Sequence, residues 1–189
     1  FNNGFVPALR SALRENPDCI VIGEMRDSET MSVALSAALT GHLVITTLHT
    51  ADAPQTIERI INFFPENVRD QVAVDLSFAL ESVIVQRLVP KADNSGMLPV
   101  LEMMHGTPGV KKQILYRDYT ALEESIRNGR NDNMNNFNQA LYELSVAGTI
   151  SREAAIAVQN KHPEWTMAPE IMIPLVGEIK ELKYVKDVV

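Results

Sequence analysis

A glutamate, Glu24, stands directly after the apolar run Cys19-Ile20-Val21-Ile22-Gly23, with Arg26 and Asp27 beside it. Glu15 and Asp18 precede that run, and His42 and His49 bracket a second one, Leu43 to Leu48. These residue types share a chemistry. A carboxylate can accept a proton from an attacking water, or hold a divalent cation through the waters that the cation retains. An imidazole changes charge near neutral pH, and a guanidinium offsets negative charge as it develops. Singly, each has an ordinary explanation: Glu24 as an exposed loop carboxylate, a histidine as a surface or satisfied core residue, Arg26 as half of a local ion pair, Asp27 as a helix cap. Two histidines at the ends of one strand beside an acid cluster point instead to a site.

The elements that must position these residues are legible from periodicity. Phe5, Leu9, Ala12 and Leu13 recur at helical spacing after Pro7 until Asn16-Pro17 stops the pattern. Cys19 to Ile22 is apolar without alternation and predicts a strand buried on both faces, Cys19 included. A helix follows, capped by Asp27 or Ser28, burying Met31, Leu35, Ala38 and Leu39, with Gly41 at its left-handed end. Leu43 to Leu48 predicts the next strand, and a further helix is capped near Asp52. Strand, helix, strand with short joints implies a right-handed βαβ crossover in an α/β fold. Parallel strands place their carboxyl ends on one sheet edge, where open α/β folds bind ligands, and Glu24 and His49 both belong there.

Beyond about residue 104 the signals are helical. Thr107-Pro108 opens one helix, and Thr120-Ala121-Leu122-Glu123 has the capping-box pattern of the next, with Gly129 as its stop. Phe137, Leu141 and Leu144 form a stripe ended by Gly148, and Ser151 caps a last helix. These apolar positions read as core packing. Met167, Pro169, Met172 and Pro174 suggest an extended segment, and Val176 to Val185 a short helix or a strand docking on a neighbour.

With 189 residues, 46% of them hydrophobic, the chain can bury a substantial core. A single cysteine forms no internal disulfide and suits a reducing compartment such as the cytoplasm. A net charge of -7, from 17 basic and 24 acidic residues without a basic concentration, argues against nucleic acid or an anionic membrane surface as the main partner. No apolar run approaches the roughly 20 residues of a bilayer span. The start, Phe1-Asn2-Asn3-Gly4, lacks an initiator Met and suggests a piece of something longer.

Three motifs in order then carry a resemblance to the ATPases of the type II/IV secretion family, in particular the PilT-like type IV pilus retraction branch. Ala12-Leu13-Arg14-Glu15-Asn16-Pro17-Asp18 resembles the family's acidic Asp box, and Ile22-Gly23-Glu24-Met25-Arg26-Asp27-Ser28-Glu29-Thr30 its Walker B segment. Thr40-Gly41-His42-Leu43-Val44-Ile45-Thr46-Thr47-Leu48-His49-Thr50 resembles the His box. The similarity continues through Ile57 to Pro65, Gln86-Arg87-Leu88 and the hairpin around Ala92 to Gly96, and in outline through Phe137 to Leu141 and Gly148 to Ser151.

The resemblance implies a RecA-like P-loop NTPase core, partial and with a mainly parallel sheet, over residues 1–104. A small helical bundle over 105–161 and a tail of unknown structure over 162–189 would follow. It also implies ATP hydrolysis with Mg2+ by a homo-hexameric motor of pilus retraction and twitching motility, cytoplasmic and bound to the inner membrane through platform proteins. Glu24 would be the general base, and Glu15 and Asp18 would lie near Mg2+, with Glu15 and Glu24 reaching it through water. His49 and His42 would sense the γ-phosphate, and Arg26 would offset developing charge.

No Gly-x-x-x-x-Gly-Lys-Ser/Thr loop occurs in the sequence. In the family it lies upstream, so this chain alone is expected to bind ATP poorly and hydrolyse little or none. One cysteine cannot build the four-cysteine zinc site that extension-type relatives often carry, which favours the retraction branch. Gly109-Val110-Lys111-Lys112-Gln113-Ile114-Leu115-Tyr116 departs, however, from the retraction motif Ala-Ile-Arg-Asn-Leu-Ile-Arg-Glu, so an extension or secretion paralogue stays open. A non-enzymatic assembly module of a pilus or secretion machine is the alternative from a different class.

Overall fold

Apolar, β-branched runs become strands and stretches of helical period become helices. The computed structural model describes residues 5–159 and the strand 171–175. Helix α1 (Phe5–Ala12) continues as a 3-10 turn, Leu13–Glu15, and ends at Asn16, whose left-handed backbone (φ 55°) turns the chain into Pro17. Strands β1 (Cys19–Ile22) and β2 (Leu43–Leu48) pair in parallel, Cys19 opposite Leu43 and Ile22 opposite Thr46, with α2 (Ser28–Leu39) as their crossover. The cap of α2 is Asp27, which accepts the Thr30 amide at 2.7 Å. Gly41 leaves the helix at φ 96°, a conformation that costs glycine little.

Helix α3 (Ala53–Asn62) starts at Asp52, which accepts the Gln55 amide at 2.8 Å. Helix α4 (Arg69–Ala79), not anticipated from the sequence, leads into β3 (Ser82–Pro90) and β4 (Met97–His105). The connection between those two strands is too short for a crossover, so they form an antiparallel hairpin, turned by Asn94 and Gly96 at positive φ. Strand β5 (Ile171–Leu175) lies between β2 and β3, antiparallel to both, giving the sheet order β1-β2-β5-β3-β4. The extended reading of Met172 and Pro174 thus falls in a strand, while Met167, Pro169 and Val176 to Val185 lie outside the described residues.

Among the described residues, four α-helices follow β4. Thr107 caps α5 (Pro108–Tyr116), and Gly129 ends α6 (Tyr119–Asn128), as expected. The start of α6 differs from the expected Thr120 box. Arg117, at φ 55°, terminates α5, and the next residue, Asp118, already accepts the Ala121 amide at 3.0 Å, so the helix begins earlier. A reciprocal Asn136–Gln139 capping box opens α7 (Phe137–Val146), and Ser151 caps α8 (Arg152–Gln159).

Burial corrects the expectation of a strand covered on both sides. Ile20 and Ile22 are buried, but Cys19 is exposed and Val21 is 71% exposed. The described helices cover only the Ile20 and Ile22 face, where Val44, Leu48, Met31, Leu35, Ile57, Ile60 and Leu76 pack. Fully burying one such side chain contributes about 1.5–3 kcal/mol. Leu39, expected in the buried stripe, is exposed, while Ala37 and Ala38 of the same turn are buried. The same cluster continues through Val110, Ile114, Leu122, Ile126 and Phe137, so the later helices share a core with the sheet. Among the described residues, no helix is long and apolar enough to cross a membrane.

Candidate active site at the carboxyl edge of the parallel strands

Because β1 ends at Ile22 and β2 at Leu48, parallel pairing delivers Glu24 and His49 to one edge on neighbouring strands. The turn carrying Glu24 is tied down from β2. The Thr47 hydroxyl donates to the Gly23 carbonyl, and the Met25 amide reaches the Thr47 carbonyl at 3.5 Å. Glu24 then lies between two basic groups. Its Oε2 receives Arg26 Nε at 2.7 Å and Nη2 at 2.6 Å, while its Oε1 faces His49 Nε2 at 3.6 Å.

Electrostatics follow from that placement. The Arg26 hydrogen bond, with the charges of Arg26, His49 and Arg59 behind it, holds the Glu24 carboxyl below its usual value, against a desolvation that pushes the other way. Glu24 is therefore an ionised acceptor at neutral pH. Asp27 is also held low, chiefly by the Thr30 amide, which keeps it in its capping role. The His49 carbonyl accepts Arg59 Nη1 at 2.9 Å, anchoring the loop after β2 to α3. Beside it lies an open cleft of about 670 Å³, lined by His49, Thr50, Gln55, Glu58 and Arg59 among others.

Glu15, Asp18 and His42 are not brought to this edge. All three precede a strand, so they sit at its amino end, roughly 13–20 Å away for strands of this length. The Asp18 carbonyl accepts the Leu43 amide at 3.1 Å there. His42 Nδ1 lies 3.1 Å from the Ala37 carbonyl and 3.2 Å from the Thr40 hydroxyl, at the end of α2. Glu15 and Glu24 consequently do not converge on a shared cation. Among the described residues, no group of three or more His, Cys, Asp or Glu side chains is placed to hold a metal. Thr47 and Arg59 had no assigned role in the sequence. Each acts on a backbone carbonyl, a contact set by register and loop path rather than by motif.

The chain has counterparts among known proteins. A profile of the family described as Type II/IV secretion system protein matches residues 2–162. Two Pseudomonas aeruginosa proteins are similar, the Type IV pilus ATPase PilU (41% identical over 155 residues) and the Type IV pilus retractation ATPase PilT (44% over 152). These matches take in 82% and 80% of this chain but 41% and 44% of those proteins, so the chain spans less than half their length. A crystal structure of the pilus retraction motor PilT with bound ADP superposes with a TM-score of 0.76 at 40% identity, covering 86% of this chain and 45% of that one.

Proposed function

Since the chain belongs to the Type II/IV secretion system protein family, we propose that it forms the water-activating and state-sensing part of an ATP-hydrolysing motor for type IV pilus retraction. The observation that carries the proposal is the Glu24 carboxylate, ionised and fixed by Arg26 at the carboxyl edge of β1, opposite His49 at the end of β2. Likeness to the retraction ATPase PilT over about four-fifths of the chain supports retraction as the direction.

Arg26 takes up Oε2 of Glu24 and leaves Oε1, on the His49 side, as the acceptor for a water proton. When bound, ATP with Mg2+ supplies the phosphoryl group and the cation that neutralises it. The fit to that pair is partial. Glu24 is placed to reach a cation through a retained water. The phosphate cradle is proposed to come from sequence outside these 189 residues, since no glycine-rich Lys loop occurs within them. Glu15, Asp18 and His42, at the far edge, take no part. His49, joined through its carbonyl to α3, reports occupancy of the site to the elements behind it. Assembly as a homo-hexamer docked on inner-membrane platform proteins completes the proposal.

ATP turnover by the complete protein and its Glu24→Gln variant tests it. The variant keeps the shape and removes the base, and a fall of about 100-fold or more is expected. A wild type without turnover in the presence of its assembly partners would sink the motor and leave a non-enzymatic assembly module.

A further inference from the structure

Strand β4 turns one carboxylate inward. Its core-facing positions are Val100, Glu102 and Met104, and Glu102 is only 6% exposed. Glu102 Oε1 accepts the Ala53 amide at 2.8 Å, and Oε2 accepts the Phe137 amide at a longer 3.4 Å. Those are the first residues of α3 and α7, so one side chain caps both helices. Arg87, on β3, reaches the same two segments. Its Nη2 donates to the Ala51 carbonyl at 2.8 Å, and its guanidinium lies 4.3 Å from the centroid of the Phe137 ring.

The two ends of this clamp belong to different parts of the molecule. Thr50 to Ala53 is the stretch that begins one residue after His49, and α7 lies in the helical region. The start of α7 also rides on β4 without help from Glu102, through the Met103–Asn135 backbone bridge (2.9 and 3.2 Å) and Asn135 Nδ2 on the Leu101 carbonyl at 2.7 Å. A buried carboxylate is tolerated only while its donors stay in place. If the loop after His49 shifts, Glu102 must either lose the Ala53 amide or carry the start of α7 with it.

We propose that Glu102 and Arg87 are a positioning pair that couples the loop after His49 to α7, so that a change at His49 is passed to the helical region. The relay rests on the ATPase reading given above; the clamp itself does not.

Amide hydrogen exchange on the complete protein separates the two. In Glu102→Gln the volume is kept, but the carboxamide presents only one accepting oxygen to two amides. Without nucleotide, exchange at one or both of Ala53 and Phe137 should rise roughly tenfold or more, while the Thr30 and Ala121 amides, capped by Asp27 and Asp118, stay unchanged. With ADP and Mg2+ as the probe, the wild type should change exchange over residues 49–56 and 135–141 together. The variant should keep the first response and lose the second. Arg87→Lys, which keeps the charge but not the stacked plane, should weaken the second response as well and serves if Glu102→Gln does not fold. Acceleration at neither amide overturns the clamp and leaves the ATPase reading standing. A response at 135–141 that survives in both variants overturns the relay. A wild type with no nucleotide response over residues 24–49 overturns the ATPase reading and the relay with it.

Discussion

Gly106 joins β4 to α5, and a methyl group there would stand 2.4 Å from the Leu80 carbonyl oxygen, 3.0 Å from Lys111 Cε and 3.4 Å from the Glu81 Cα. The lysine stem can swing aside, at the expense of its 3.1 Å ion pair with Glu81. The Leu80 carbonyl cannot, because it is backbone at the junction of α4 with β3. The Gly106 amide donates to the Glu81 carbonyl at 2.7 Å, which pins the two junctions together where the methyl must go. Overpacking of this kind costs about 1–3 kcal/mol. In a chain of this size each kcal/mol lowers the melting midpoint by roughly 2–4 °C, so Gly106→Ala should melt roughly 2–12 °C below the wild type. Gly109, in the first turn of α5, is the control, since the nearest heavy atom to an added methyl is Thr107 Oγ1 at 3.9 Å. Alanine there should be neutral or gain up to about 1 kcal/mol by restricting the unfolded chain. Thermal and urea unfolding measure both, with an unchanged urea slope confirming that the effect is on stability. A Gly106→Ala variant that melts with the wild type, or two variants that shift in the same direction, would refute the close approach.

Other perturbations probe the site and its surroundings. Arg26→Gln removes the hydrogen bond that does most to hold Glu24 low, so the acid limb of ATP turnover should move to higher pH; a profile that stays in place would mean that Glu24 is not the titrating group. Burial pushes the Glu102 carboxyl above its ordinary value of 4.5, aided by the charge of Asp52 and opposed by the Ala53 and Phe137 amides and by Arg87. The native chain then holds that proton more tightly than the unfolded chain does, so the linked stability is full below 4.5 and is lost as pH rises through the raised value. The stability of the wild type relative to Glu102→Gln should fall across that window in denaturant titrations, and a flat difference would show that Glu102 titrates normally. Ile22→Ala empties a site that is 1% exposed and should cost about 2–5 kcal/mol, whereas Val21→Ala, at a position 71% exposed, should stay within about 0.5 kcal/mol. Equal losses from the two would mean that β1 is covered on both faces.

Local signals are legible in the sequence because they act over one helical turn or one strand. Asp27, Asp52, Thr107 and Ser151 each cap the helix that follows, and Gly129 closes its helix, since a cap needs only the next three residues. Phase was not legible in Cys19-Ile20-Val21-Ile22, where four apolar residues in a row give no hint of which face lies uncovered. Helix α4 leaves a weak signal because its buried set, Val72, Ala73, Leu76, Ser77 and Ala79, includes two alanines and a serine and is mixed with polar residues. Strand β5 depends on partners far away in the chain, which no local pattern announces. Glu102, by contrast, did leave a signal: it alternates with Val100 and Met104 on the buried face of β4, and a carboxylate in phase with core residues calls for partners.

The divided fate of the candidate site residues follows from the same βαβ argument that predicted the site. Parallel strands run the same way, so whatever follows a strand gathers at one edge and whatever precedes a strand gathers at the other. Glu24 and His49 follow β1 and β2; Glu15, Asp18 and His42 precede them. Histidines at the two ends of one strand therefore cannot both face one ligand-binding edge, and the strand that separates them places His49, not His42, beside Glu24. The acid cluster in the sequence was two groups of carboxylates brought near each other by chain order and separated in space by the length of β1. Arg26 remained with Glu24 because both lie beyond the end of the strand, close enough for the guanidinium to bind the carboxylate directly.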